Sequence, residues 1–184
     1  MISVVIPTHN AAAILPATFR SLFEATIEGL VSEVIVADCG STDATLRLAD
    51  AAGATVLKTG PGLELLAGAK AARKPWLLFL KAGSSMEPGW EDEARAFIAE
   101  GENDAAAFRF RLAGKGLRPR LREALAAAIR AFRLPNSCDG LLISAKLLDT
   151  LEACATQPVE EADLIRRLGR NRVSPLKAAV IARR

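Results

Sequence analysis

Four apolar residues, Val34-Ile-Val-Ala37, run into Asp38, and Cys39-Gly40-Ser41-Thr42-Asp43 then turns into a helical pattern. A strand built this way carries a carboxylate to the carboxyl edge of a parallel sheet, where open α/β folds bind ligands. Two more apolar runs end in polar residues: Ile2–Ile6 at Pro7-Thr8-His9, and Trp76–Leu80 at Lys81-Ala82-Gly83. An acid at one strand end accepts N–H groups; an ammonium at another neutralises phosphate or is simply a solvated surface charge. Glu160, Glu161 and Asp163 open a further helical segment that closes with Arg166, Arg167 and Arg170. Acids placed there suit a proton acceptor, or they only compensate the helix dipole. Asp38 and Asp43 have a structural alternative too, satisfying turn and helix-start amides. His9 is the single histidine, and Cys39, Cys138 and Cys154 are scattered without metal spacing. Reduced thiols follow from the odd count, and Cys138, with no base beside it, reads as a small buried residue.

These groups need elements to hold them. Leu15, Phe19, Leu22, Phe23 and Thr26 recur at helical spacing, which predicts a helix over about 12–28 with Pro16 in its first turn. Ser41 or Thr42 is expected to cap a helix running to Ala52, and Ala54–Leu57 a short strand. A helix over Leu63–Ala72, the strand Trp76–Leu80 and a helix opened by Glu87-Pro88-Gly89 follow. Ala105–Arg111 alternates as a strand, and Pro119–Phe132 is an amphipathic helix with Arg118, Arg122, Arg130 and Arg133 off its apolar stripe. Gly140–Ser144, Lys146–Cys154 and Glu160–Leu168 read as strand or turn, helix and helix, with edge strands at Arg172–Ser174 and Lys177–Ile181. Strands alternating with helices require crossovers and a parallel sheet covered on both faces.

The chain's 184 residues suit one domain with a substantial core, and 51% apolar with 24% charged residues is ordinary for a globular protein. No apolar run approaches the roughly 18–20 residues that span a bilayer, and Met1 leads straight into a strand, so a cytoplasmic protein is expected. Residues 1–116 carry 11 Lys/Arg against 14 Asp/Glu, net −3; residues 117–184 carry 13 against 7, net +6. The basic third either meets an anionic partner or is a solvated surface. The basic helix over 118–133 either lies against a membrane or packs into the core, and the first would make the protein peripheral to the membrane. Tyrosine is absent and no basic–aromatic interleaving occurs, so no nucleic-acid partner is expected.

Together, Ile2-Ser-Val-Val-Ile-Pro-Thr-His-Asn10 and the stretch around Asp38 resemble the nucleotide-binding start of the family-2 glycosyltransferases. The resemblance covers nearly the whole chain, strongest over 2–57 and 74–98 and weaker after 115. It implies an α/β fold of the GT-A (Rossmann-like) type, a mainly parallel twisted sheet with helices on both faces. The single domain, 1–184, would divide into a nucleotide-binding half, 1–98, and an acceptor half, 99–184. It implies a hexosyltransferase-type enzyme that moves a sugar from a nucleoside-diphosphate sugar to an acceptor hydroxyl, with a lipid-linked acceptor among the options. Pro7, Thr8, His9, Asp38 and Gly40 would form the nucleotide side, with Lys81 near the phosphates. Glu161 matches the family's catalytic aspartate, one methylene longer, and would be the general base. Glu160 beside it, and Asp139 within Asn136-Ser-Cys-Asp-Gly140, would lie on the acceptor side.

Three positions depart from the family pattern. The aspartate expected to hold Mg²⁺ or Mn²⁺ is Gly83, so no metal ligand is named and metal dependence should be weak or absent. An expected arginine is Pro61 and an expected asparagine is Leu66. These losses support a second expectation, a catalytically inactive GT-A-like binding or regulatory module. The sugar, the acceptor and the oligomeric state are not specified by the resemblance.

Overall fold

The structure is a computed structural model that describes residues 1–101, 104–112, 138–153, 164, 167–168 and 172–182. Among these, the strands are β1 (Ile2–Thr8), β2 (Val31–Asp38), β3 (Thr55–Lys58), β4 (Trp76–Phe79), β5 (Ser84–Met86), β6 (Ala105–Leu112), β7 (Leu141–Ser144) and β8 (Val173–Ala182). The helices are α1 (Leu15–Ile27), α2 (Thr45–Ala51), α3 (Glu64–Ala71), α4 (Trp90–Glu100) and α5 (Ala145–Ala153). The amphipathic helix expected over 119–132 and the acidic helix start at Glu160 and Glu161 lie outside the described residues.

The strands form one sheet in the order β3-β2-β1-β4-β7-β6-β8-β5. Its first half, β3-β2-β1-β4, is parallel, and α1, α2 and α3 are its crossovers. In the second half β6 runs parallel to β8, while β7 and β5 run antiparallel to their neighbours. A parallel strand covered on both faces needs side chains that are apolar on both, and Ile2, Val4, Val5 and Ile6 of β1 are fully buried. Alternate residues feed two cores. Val4, Ile6, Val36 and Leu78 pack with Leu15 and Leu22 of α1 and Trp90 and Phe97 of α4. Val5, Leu77 and Phe79 pack with Leu65 and Ala69 of α3 and Leu148 and Leu151 of α5. Helices therefore cover both faces, as the strand–helix alternation requires. Gly68 lets α3 approach closely, because a Cβ there would run into Val5 Cγ1.

Three expectations change. Neither Ser41 nor Thr42 caps α2, which begins at Thr45 with no side-chain cap from Ala44. The Ser41 groups and the Thr42 amide are already bound to Asp38 and Asn10. The two edge strands near the end are one strand, β8, and it lies inside the sheet between β6 and β5. Pro175 is tolerated in it beside a bulge: one β6 residue, Phe108, spans what three β8 residues span between the pairs Ala107↔Pro175 and Arg109↔Ala179. The amides this releases are not orphaned. Lys177 and Ala178 N–H donate to Glu93 Oε2 at 2.8 and 2.9 Å, and Ala179 N–H to Glu87 Oε2 at 3.0 Å. The third change is β5, three residues that no pattern in the sequence announced.

Candidate functional site

The carboxyl ends of β1, β2 and β4 bring Thr8, Asp38 and Lys81 onto adjacent positions of one sheet edge. Asp38 is 1% exposed. Its Oδ1 accepts from the Thr8 hydroxyl at 2.9 Å and from the Ser41 hydroxyl, and its Oδ2 from Ser41 N–H at 2.8 Å. A carboxylate offers about four lone-pair positions, so three of them are already used. Burial, the largest single influence, pushes the Asp38 carboxyl up. The Ser41 hydroxyl and amide, the Thr8 hydroxyl and nearby His9 outweigh it and hold it below the ordinary aspartate range.

The loops after β1 and β2 are stitched to each other. His9 Nδ1 lies 2.6 Å from the Cys39 carbonyl, which only accepts, so Nδ1 carries the proton and donates. Asn10 adopts a left-handed backbone, φ 49°, a region asparagine tolerates. Its Oδ1 accepts from Thr42 N–H at 2.8 Å, and its own N–H donates to the Ser41 hydroxyl at 2.8 Å. Ala11 N–H donates to Thr45 Oγ1 at 2.8 Å and Ala12 N–H to Asp43 Oδ2 at 3.0 Å. Asp43 is the helix-start residue of α2, its Oδ1 accepting from the Thr45 hydroxyl and amide, which hold its carboxyl below the ordinary range. Pro7 is half-buried in β1, and Gly40 is exposed in the turn.

At the β4 end, Lys81 is exposed and Asp139 is buried beneath it. Asp139 Oδ1 accepts from Lys81 N–H at 3.0 Å, and its Oδ2 from the Ser84 hydroxyl at 2.6 Å. The structure thus places Asp139 under the turn that presents Lys81. Gly83, φ 88°, donates its N–H to Thr18 Oγ1 at 2.9 Å, and a Cβ on it would lie 3.2 Å from Ile14 Cδ1. An aspartate would be strained at that position. The side chains here do not fit a divalent cation: Lys81 brings positive charge and Gly83 brings no donor. Among the described residues no group of three His, Cys, Asp or Glu could hold a metal ion.

Asn10 and Glu64 belong to this edge and were not singled out by the sequence, and Ser41, expected there only as a helix cap, belongs to it as well. Asparagine three residues past a strand-ending proline was the available signal for the first. Glu64 is half-buried at the start of α3, near enough to Cys39 to influence its thiol. Burial first, then the Glu64 carboxylate and the Asp38 charge, push that thiol up, which makes Cys39 a poor nucleophile. Cys138 is buried. The expected general base Glu161 and its neighbour Glu160 lie outside the described residues. A cavity of about 810 Å³ opens at the opposite end of β2, lined by Phe23, Val31, Ala54 and Trp90. The polar groups with chemistry to offer converge on the carboxyl edge.

An open α/β sheet presents these polar groups at the edge where such folds bind ligands. The family model for glycosyl transferase family 2 matches residues 3–154, and the chain belongs to that family. A PGL/p-HBAD biosynthesis glycosyltransferase of Mycobacterium tuberculosis is 35% identical over 112 residues, 55% of this chain and 43% of the relative. The chain thus spans less than half the length of the curated relatives it matches. Among solved structures, S. aureus TarS 1–349 in complex with UDP-GlcNAc superposes with a TM-score of 0.75 at 21% identity, over 100% of this chain and 58% of that one. M. tuberculosis glucosyl-3-phosphoglycerate synthase with Mn²⁺ and UDP-glucose gives 0.65 at 24%, over 97% and 69%. These likenesses establish the GT-A fold. No helix among the described residues is long and apolar enough to cross a membrane.

Proposed function

We propose that this chain transfers a glycosyl group from a nucleoside-diphosphate sugar to an acceptor hydroxyl. The observation that carries the reading is the convergence of Thr8, Asp38 and Lys81 on the carboxyl edge of a family-2 domain. Pro7, Thr8, His9 and Gly40 border the nucleotide, and Asp38 braces the two loops that shape its pocket. The acceptor oxygen bonds to the anomeric carbon as the bond from that carbon to the diphosphate oxygen breaks, and the diphosphate leaves with the electron pair. Lys81, supported from below by Asp139, neutralises the charge that develops on the leaving diphosphate. The acceptor's proton goes to a carboxylate, assigned to Glu161 with Glu160 on the acceptor side. The M. tuberculosis glucosyl-3-phosphoglycerate synthase was solved with Mn²⁺ and UDP-glucose; the absence of a carboxylate at Gly83 and the presence of Lys81 support giving the neutralisation to a side chain in this chain.

Calorimetric titration with UDP and GDP, each with and without Mn²⁺, tests this. Saturable binding of at least one that is indifferent to Mn²⁺ and falls about tenfold in Lys81→Ala is expected, the worth of one charge-assisted contact. Absence of binding to both refutes the donor reading. The second reading, a catalytically inactive binding or regulatory module, is favoured by Pro61, Leu66 and Gly83, where polar ligand contacts of the family are missing.

A further inference from the structure

α1 buries Leu15, Thr18, Leu22 and Ala25. Three of these are apolar, and Thr18, 0% exposed, interrupts them with a hydroxyl. A hydroxyl taken out of water needs a partner. Its oxygen accepts from Gly83 N–H at 2.9 Å, in the turn that follows β4. That turn runs from Lys81 to Ser84, whose N–H donates to the Lys81 carbonyl at 3.0 Å. Gly83 has φ 88° and Ala82 has no positive φ, the pattern of a type II turn. Type I differs by a flip of the peptide between Ala82 and Gly83, and glycine accepts φ of either sign. The residues of the turn therefore leave its form open, and the Thr18 hydroxyl settles it.

The rest of α1 supports the same turn. Ile14, one helical turn before Thr18, fills the space that a Cβ on Gly83 would take. Ser85 Oγ reaches the Ala17 carbonyl at 3.4 Å. On the other flank Asp139 accepts from Lys81 N–H at 3.0 Å and from the Ser84 hydroxyl at 2.6 Å. Lys81 is the first residue of this clamped turn, so whatever fixes the turn fixes where the lysine side chain starts. Resting on the donor reading above, we propose that Thr18 is a positioning residue for the donor's diphosphate. Through Gly83 it holds the Lys81–Ser84 turn in one form, and with it the place of the Lys81 ammonium. Buried in α1, it acts through the turn and not on the ligand.

The test is calorimetric titration of the full chain with UDP and GDP, on the wild type, Thr18→Val, Thr18→Ser, Lys81→Ala and the double variant Thr18→Val/Lys81→Ala. Valine keeps the shape of the side chain and removes the acceptor, whereas serine keeps the acceptor. Thr18→Val is expected to weaken the better-bound nucleotide by about threefold to tenfold, and Thr18→Ser by less than about twofold. In the Lys81→Ala background valine should cost less than about twofold more, because it acts through an ammonium already removed. Thermal melting controls for folding. Should the valine chain not fold, Thr18→Ala, which leaves room for a water, is read in the same cycle. Losses that multiply across the two sites, no loss in Thr18→Val, or a loss that Thr18→Ser shares in full overturns the assignment and leaves the donor reading standing. Failure of both nucleotides to bind the wild type refutes both.

Discussion

Replacing Asp38 by asparagine keeps the size of the side chain and removes its charge. The amide oxygen can still accept from the Thr8 and Ser41 hydroxyls. Its NH₂, however, takes the place of Oδ2 and faces Ser41 N–H, donor against donor. A buried amide then loses a bond to a charged acceptor, at a cost of about 1.5–3 kcal/mol, and the two remaining bonds fall to neutral strength. About 3 kcal/mol in all follows, or roughly 6–12 °C in melting temperature for a domain of this size. The sign with pH is fixed by the depressed carboxyl. Below its ordinary range near 3.9 the unfolded chain takes up the proton first, so the stabilisation is complete above about pH 5 and vanishes as pH falls through the folded value. Protonated aspartate then has the same donor defect as asparagine. Urea melts of wild type and Asp38→Asn should differ by about 3 kcal/mol at pH 7 and by clearly less at pH 3. A gap of the same size at both values, or none at pH 7, would refute the assignment of Asp38 as an ionised brace.

Two further outcomes follow from close contacts. Gly68→Ala should destabilise by about 1–2 kcal/mol in urea, because overpacking against the fully buried Val5 exceeds the helix propensity that alanine adds; a stabilised variant would show that α3 does not sit this close to β1. Cys39 should alkylate more slowly at pH 8 than an unhindered thiol, and faster in Glu64→Ala, since removing the carboxylate returns the thiol toward its ordinary value; peptide mass spectrometry after iodoacetamide reads Cys39 separately from Cys138 and Cys154.

The parallel half of the sheet was legible because it is buried on both faces. Runs such as Ile2–Ile6 and Trp76–Leu80 have no other stable use in water, and α1 and α4 announced themselves by period. What failed was what depends on distant pairing. Ser84-Ser85-Met86 is a strand only because β8 arrives beside it, and β8 looked like two strands because Pro175 and a bulge interrupt its pattern. The strand ends that build the site were legible for the same reason as the strands. Which way each side chain turns was harder. Counting from the buried Val36 would have put Asp38 on the α1 face and Cys39 on the other, but the closeness of Glu64 depends on how α3 packs. The cap of α2 was misplaced because Ser41 has a buried carboxylate for a partner, and that outweighs a helix end in water.

The place of β8 sets an order of events during synthesis. Every other described strand leaves the ribosome before it, yet β8 lies inside the sheet, holding β6 on one side and β5 on the other. The parallel half around β1 can pair as soon as β4 has emerged. Until β8 arrives, β6 presents a bare edge and β5, three residues long, has no strand beside it. A growing chain in this state exposes the kind of edge that recruits other strands. Slow translation over residues 145–172 would lengthen that exposure, whereas a pause just after β4 would cost nothing.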